Sequence, residues 1–408
     1  MAGQLYFPPT TAGATWDTIN PAQMGWCTSE LDTLDAFLED RNTKSFIVLH
    51  KGKIALEWYY DGFGQDSLWY WASAAKTLKA FMIGQLQEDA LVDINDRSSD
   101  YLGLGWSACP PTKEALITVK DQLQMTTGLD YTVPNLNCTL DTCLQYRSDA
   151  GTQWYYHNAP YRLLTEVIEQ ASGQSLNLYT FQNIARPTGM QGFWLDTLYI
   201  SNARSMARFG LLNLAKGVWD GTSLLGDSVY LNAMKTPSQS LNPAYGYLWW
   251  LNGQSSYIQP GLPNSFSGSI VPSAPTDMYM AAGKNDQRVY VVPSMDLVVV
   301  RQGNAADQSL LALSNFDTEL WNLLNQLICQ QIGLSEPVNT LSSFTVYPNP
   351  AQHQLLISGL KGEALKIYNT SGLLVYSKKV TNTVDVSKLE AGVYYISDGY
   401  TYQCFVKE

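Results

Sequence analysis

Residues 71–78 read "WASAAKTL" and place Ser73 three positions before Lys76. Downstream, Leu78, Phe81, Met82 and Leu86 recur at helical intervals, so the stretch predicts a helix from Ser73 to about Glu88. Residues three apart share a helix face, which puts the Lys76 amine beside the Ser73 hydroxyl. Lysine is seldom buried without a partner. Either the pair is a surface accident, or the amine acts on the hydroxyl. A serine hydroxyl is a poor nucleophile until a base takes its proton. A lysine that is desolvated and flanked by positive charge gives up its own proton and can be that base.

Working outward, "SFIVLH" and "KIALEWYY" are joined by Lys51-Gly52 and read as a β-hairpin. "LDTLDAFLED" has helical spacing ahead of it. Beyond the serine, "ITVKDQLQMTTGLDY" reads as a short helix capped by Gly128. "APYRLLTEVIEQASG" reads as an amphipathic helix stopped by Gly173, and another helix is expected from about Asn202 to Leu214. From Tyr245 the chain turns to strands: "YGYLWWLN", "DMYMAAG", "QRVYVVP" and "LVVVRQG". "FDTELWNLLNQLICQQI" is a last long helix. Strands at both ends of a helical middle predict one α/β (α+β) domain whose sheet joins the first and last strands under helices.

Residues 344–408 differ in texture. Short alternating strands ("QLLISGL", "ALKIYNTSG", "LLVYSKKV", "GVYYISDG", "YQCFVKE") are punctuated by Gly and Asn, the pattern of a small all-β sandwich. The stretch near 336–343 is rich in Pro, Ser, Thr and Asn, as linkers are. Two domains are expected, over residues 1–338 and 342–408.

Composition removes several classes of function. The net charge is −11 and only 15% of residues are charged, so neither nucleic acid nor an anionic membrane is an expected partner. No apolar run reaches the roughly 18 residues of a transmembrane helix. The 12 Trp and 25 Tyr suit an enzyme for uncharged substrates. The six cysteines lack a CxxC or a zinc-like spacing, and neither metal nor cofactor is expected. Cys138 and Cys143 flank "CTLDTC" in a polar loop; they are either a local disulfide or two free thiols. The start, "MAGQLYFPP", has no basic or apolar region of a signal peptide, so export would imply a leader already removed.

Other features join the serine and lysine. "WYYHNAPY" carries Tyr156-His157-Asn158 just ahead of a helix. A tyrosine near a lysine ammonium ionises more easily and exchanges protons with the serine and the leaving group. The Asn158 amide can hold the lysine or a substrate carbonyl. "AAGKNDQ" places Gly283 where backbone can approach a ligand closely, followed by Lys284, which is either functional or a solvated loop lysine. His157 is either a substrate contact or a locally packed ring. Trp154 is either core or pocket wall. No G-x-S-x-G occurs, and the three histidines, His50, His157 and His353, have no motif that supports a Ser-His-Asp triad.

The order and contexts of these motifs resemble the serine β-lactamase and penicillin-recognising enzymes over about residues 20–335. "SAAK" and "YHN" look like that family's first two motifs, and "VKDQLQMTTGL" and "SMARFGLLNLAKGVW" are similar to its connecting segments. The closer likeness is to the branch of class C β-lactamases, family VIII esterases and 6-aminohexanoate-dimer hydrolases. The resemblance implies Ser73 as nucleophile, Lys76 as its base and Tyr156 as proton shuttle. It implies an oxyanion hole from the backbone of Ser73 and a residue near Lys284, with Asn158 positioning the lysine or the substrate. The family's Lys-Thr-Gly is absent, and "GKNDQ" stands in its place. That departure favours small amides or esters. A class C-like β-lactamase, a D-Ala-D-Ala carboxypeptidase and a non-catalytic binding protein are the competing readings.

The end of the chain resembles the type IX secretion C-terminal sorting domain of Bacteroidetes. The likeness is carried by Tyr347-Pro348-Asn349-Pro350, Gly372, Leu389, Gly392, Val393, Tyr394 and Lys407. It implies the type IX machinery as a partner and a secreted or outer-membrane-surface location. An adhesive or carbohydrate-binding sandwich is the alternative.

Overall fold

A computed structural model describes residues 5–329, except 12, 308–312 and 314, and residues 344–408, except 360–363, 370–373, 380–381 and 399–401. The chain forms two units, Met1–Gln330 and Gln331–Glu408. Gly372 and the 336–343 stretch lie outside the described residues.

In the first unit, strands β1 (Thr43–His50) and β2 (Lys53–Tyr59) form the expected hairpin. Lys51 and Gly52 both take positive φ, 52° and 84°, which matches the twist of paired strands. A Cβ on Gly52 would collide with the Tyr6 carbonyl, so glycine is required there. The later strands are β3 (Trp250–Leu251), β4 (Tyr279–Gly283), β5 (Gln287–Val292) and β6 (Leu297–Gly303). They make one sheet in the order β2-β1-β6-β5-β4-β3, and every pair is antiparallel. The first and last strands of the unit thus meet at its centre, as expected. "YGYLWWLN" yields only two strand residues, because Leu248 has φ 61° and breaks the extended run.

The helices that bear on the sheet and the site are α1 (Leu31–Asp40), α2 (Lys76–Glu88), α3 (Val119–Gln124), α4 (Asn158–Ser172), α5 (Ala203–Leu214) and α6 (Phe316–Ile328). Strand alternation assigns the two faces of the sheet. Val289 and Val298 face α5 so closely that a Cβ on Gly210 would come within 2.5 Å of Val298 Cγ1. Arg288 and Tyr290 face α6: Arg288 Nε donates to Asp317 Oδ1 at 2.7 Å, and Tyr290 lies edge-on to Trp321 at 5.7 Å. Phe37 of α1 stacks on Phe316 of α6 at 5.7 Å. A disulfide ties Cys27 to Cys329 at the end of α6.

Two boundaries differ from expectation. The helix after Ser73 begins at Lys76; Ala72–Ala75 is a 3-10 turn entered through Ala72 at φ 48°. Helix α3 ends at Met125 (φ 64°) rather than at Gly128, because the Thr126 backbone N–H and hydroxyl both turn back to Asp121, at 2.9 Å each.

In the second unit, Thr345–Tyr347, Gln354–Ser358 and Thr383–Asp385 form one sheet. Ala364–Asn369, Leu374–Lys379, Gly392–Ser397 and Tyr402–Lys407 form another. Leu355, Ile357, Leu365, Ile367, Val384, Ile396 and Phe405 are buried in a core of its own. The all-β reading of this segment holds.

Candidate active site

The turn that carries Ser73 is anchored from below. Trp71 is fully buried; its backbone N–H donates to Tyr199 O at 2.9 Å and its Nε1 to Ser201 Oγ at 2.7 Å. Ser73 itself is half-buried. One turn on, Lys76 is only 3% exposed, and its Nζ donates to Asn158 Oδ1 at 2.9 Å. The Lys76 backbone N–H donates to Ser73 O, but no hydrogen bond joins Lys76 Nζ to Ser73 Oγ among the described residues. The amine faces the Tyr161 ring at 3.7 Å and the Tyr156 ring at 5.2 Å, measured to the centroids. Burial holds Lys76 well below its ordinary 10.5, and the charges of Lys79 and Arg162 push it lower.

Tyr156 enters from the extended segment before α4. Its ring stacks on Trp250 at 5.8 Å and meets Tyr245 edge-on at 6.2 Å. Burial raises the phenol above its usual 10.0, against a smaller opposing effect of the Ser73 side chain. The sequence reading expects easier ionisation beside a lysine ammonium; the dry aromatic surroundings instead favour the protonated phenol. Trp154 is buried in the same aromatic cluster, 5.4 Å from Tyr245 and 6.2 Å from Trp250. His157 does not join this group. Its backbone is extended, which turns it away from Tyr156, and it makes no ring contact with the cluster among the described residues. Asp130 is the charge it feels, and burial lowers it to about 4.

Asn158 opens α4 and is held on two sides. Its Oδ1 accepts from Lys76, while its Nδ2 donates to Asn137 Oδ1 at 2.9 Å. Asn137 precedes Cys138, and the Cys138–Cys143 disulfide does form, clasping this loop. The Ala159 N–H donates to Leu136 O at 2.9 Å and fixes the same loop against α4.

The end of β4 closes the site from the sheet. A Cβ on Gly283 would collide with Trp71 O and come 3.0 Å from Ala74 N, so only glycine lets the strand reach the Ser73 turn. The carbonyls that follow are all engaged behind it. Gly283 O accepts from Arg288 Nη1 at 2.9 Å, Asn285 O from Gln287 Nε2 at 2.8 Å, and Asp286 O from Arg301 Nη1 at 3.1 Å. In a trans peptide the N–H points opposite to the C=O. The Lys284 N–H is therefore directed away from Arg288. The Lys284 side chain is exposed, and Asn285 Nδ2 donates to Tyr70 OH at 2.7 Å.

The structure thus brings together Ser73, Lys76, Tyr156, Asn158, Trp154 and Gly283, with Lys284 at the rim by its backbone. Sequence reasoning missed Lys79, Tyr161, Arg162 and Asn137. Lys79 alone had a visible signal, as the second step of an S-x-x-K-x-x-K ladder. The cavity lined by Met24, Trp26, His50, Asp296 and Ile328 opens at the other end of β1 and β6, remote from Ser73. No cluster of metal-ligating side chains occurs among the described residues, and no described helix is long and apolar enough to cross a membrane.

An antiparallel sheet built from both ends of the unit, with an S-x-x-K turn set against the end of β4, is the arrangement of the β-lactamase-like fold. Residues 32–309 match the family described as Beta-lactamase, and the chain belongs to that family. Residues 345–399 match the secretion system C-terminal sorting domain. An uncharacterised protein of Alkalihalophilus pseudofirmus is 20% identical over 310 residues, 66% of this chain and 85% of that one. Among solved structures, a Bacillus anthracis protein provisionally described as a 6-aminohexanoate-dimer hydrolase superposes with a TM-score of 0.59 at 17% identity, covering 82% of this chain and 91% of that one. A Bacteroides dorei protein provisionally described as a β-lactamase gives 0.59 at 15% identity, with 75% and 100% coverage. At these identities the likeness is one of fold.

Proposed function

We propose that this protein is an exported serine hydrolase that cleaves small amides or esters through an acyl-enzyme on Ser73. The observation that carries the reading is the Lys76 amine: enclosed, without a carboxylate partner among the described residues, and bonded to a neutral amide one turn from a half-exposed serine. A neutral amine can give one N–H to Asn158 and still offer its lone pair to the Ser73 hydroxyl. Ser73 Oγ attacks the substrate carbonyl as its proton passes to Lys76. The oxyanion is received by backbone N–H groups of Ser73 and Lys284. The Tyr156 phenol then protonates the leaving amine or alcohol and is itself reprotonated by the Lys76 ammonium. Water hydrolyses the resulting ester by the reverse sequence. Trp154, Tyr245 and Trp250 are almost wholly buried and pack around the Tyr156 ring, which keeps the phenol in dry surroundings. The missing Lys-Thr-Gly and the exposed Lys284 side chain leave no evident cradle for a β-lactam carboxylate. The sorting-domain match supports delivery by the type IX machinery to the cell surface or the medium.

The test is intact mass after treatment with a fluorophosphonate. One adduct is expected, absent in Ser73→Ala and slowed by several orders of magnitude in Lys76→Arg, whose guanidinium cannot give up its proton. An unlabelled wild-type protein would favour the non-catalytic reading. A panel of p-nitrophenyl esters, 6-aminohexanoate dimer, nitrocefin and D-Ala-D-Ala peptides then ranks the substrates. Fast nitrocefin turnover with negligible ester or amide cleavage would put β-lactams ahead of amides and esters.

A further inference from the structure

Three residues beyond Lys76, helix α2 buries a second lysine. Lys79 is fully buried, and its Nζ donates to Thr165 Oγ1 at 2.6 Å. It faces the Tyr161 ring at 4.3 Å and the Trp194 ring at 5.6 Å. Tyr161 is the same ring that Lys76 approaches at 3.7 Å. Ser73, Lys76 and Lys79 therefore climb one side of the chain in steps of three, with one aromatic ring serving both amines. Neither lysine has an ion-pair partner among the described residues. The carboxylates of this region are committed elsewhere: Asp196 pairs with Arg162 at 3.1 Å, and Glu169 accepts from the Leu176 N–H at 2.8 Å. Enclosing a cation with only a hydroxyl and ring faces for company is costly, and an apolar side chain of the same length would avoid that cost. The position gains something from the charge.

We infer that Lys79 is a positioning residue that holds Lys76 in its neutral, proton-accepting form, by setting a second ammonium group against the same Tyr161 ring in one dry compartment. This rests on Lys76 being the base for Ser73. Two ammonium groups in a poorly solvated enclosure repel, and loss of the Lys76 proton relieves the repulsion. The groups facing the pair are Arg162, which adds to the repulsion, Asp196 and Glu169, which oppose it, and the phenols of Tyr156 and Tyr161. Burial brings Lys79 itself down to about 7, so its charge is present below neutrality.

The experiment follows the rate of Ser73 phosphonylation in the full chain from about pH 5 to about pH 10, with a fluorophosphonate as probe. It compares wild type with Lys79→Met, Lys79→Gln and Lys79→Arg. In wild type the rate rises along an acid limb to a plateau. Lys79→Met and Lys79→Gln should move that limb up by about one pH unit, a loss of about tenfold on the limb with the plateau kept. Lys79→Arg, whose charge cannot be lost, should leave the limb in place or lower it. The two neutral variants guard against a fold defect in either. A purely structural lysine would instead scale the rate equally at every pH. Limbs that coincide in wild type, Lys79→Met and Lys79→Gln overturn the inference and leave the hydrolase reading intact. A wild-type protein with no labelling at Ser73 overturns both.

Discussion

His157 lies between Tyr156 and Asn158 in the chain and on the opposite side of the segment in space. Both of its ring nitrogens are buried without a hydrogen-bond partner among the described residues. Burial lowers it from 6.5 to about 4, with Asp130 opposing the shift. The folded state thus keeps a neutral ring down to about pH 4, while the unfolded chain takes up a proton near 6.5. Stability owed to the neutral ring is whole above 6.5 and is lost as pH falls towards 4, a difference on the order of 3 kcal/mol. Denaturant midpoints measured from pH 7 to pH 4 should fall in wild type and fall much less in His157→Phe. Equal acid slopes in the two proteins would show that the ring is charged in the fold.

At the scale of elements, the decisive contact is between β4 and the Ser73 turn. Gly283 meets Trp71 O and Ala74 N, both backbone atoms that no side-chain rotation can move aside. The carbonyls after it are fixed by Arg288, Gln287 and Arg301, and Arg288 is in turn held by Asp286 and Asp317 at 2.9 and 2.7 Å. Gly283→Ala must therefore push the strand end away from the serine and misplace the Lys284 N–H. The expected result is a kcat lower by about 100-fold, the size of losing one oxyanion donor, with KM little changed and the circular dichroism spectrum retained. A Gly283→Ala enzyme with normal kcat would exclude this backbone from the oxyanion site.

At the scale of the molecule, the two units have separate hydrophobic cores. Every residue assigned to the chemistry lies in the first. Helix α6 belongs with it, since Trp321 and Leu324 are fully buried and Asp317 holds Arg288. Cys329, bonded to Cys27, marks how far the catalytic unit must run. A chain ending at Asn339 keeps both and should hydrolyse substrate with kcat/KM unchanged, while in a type IX host it should no longer reach the surface. Loss of activity in vitro on that truncation would mean that the tail supports the catalytic unit.

What could be read without the structure follows from local rules. Helix and strand periods, the Lys51-Gly52 turn and the spacing of Ser73 to Lys76 depend on neighbours within a few residues, so they are written directly in the chain. Motif order was enough for the family, because Ser73, Tyr156 and Gly283 keep their contexts as well as their identities. The roles of particular side chains were not legible this way. Asn137 meets Asn158, Tyr161 receives two lysines on its ring, and Arg288 secures a turn five residues before it, through contacts that only folding creates. His157 is left open by the sequence between a substrate contact and a locally packed ring, because which side of the segment it takes is set by the backbone. The state of Tyr156 is hidden for a related reason: the aromatic enclosure that raises its phenol is assembled from Trp250 and Tyr245, nearly a hundred residues away. Sequence by itself determined the elements, their pairing and the motif; tertiary structure decided which side chains share a dry compartment, because burial and charge act through space and the chain records only order.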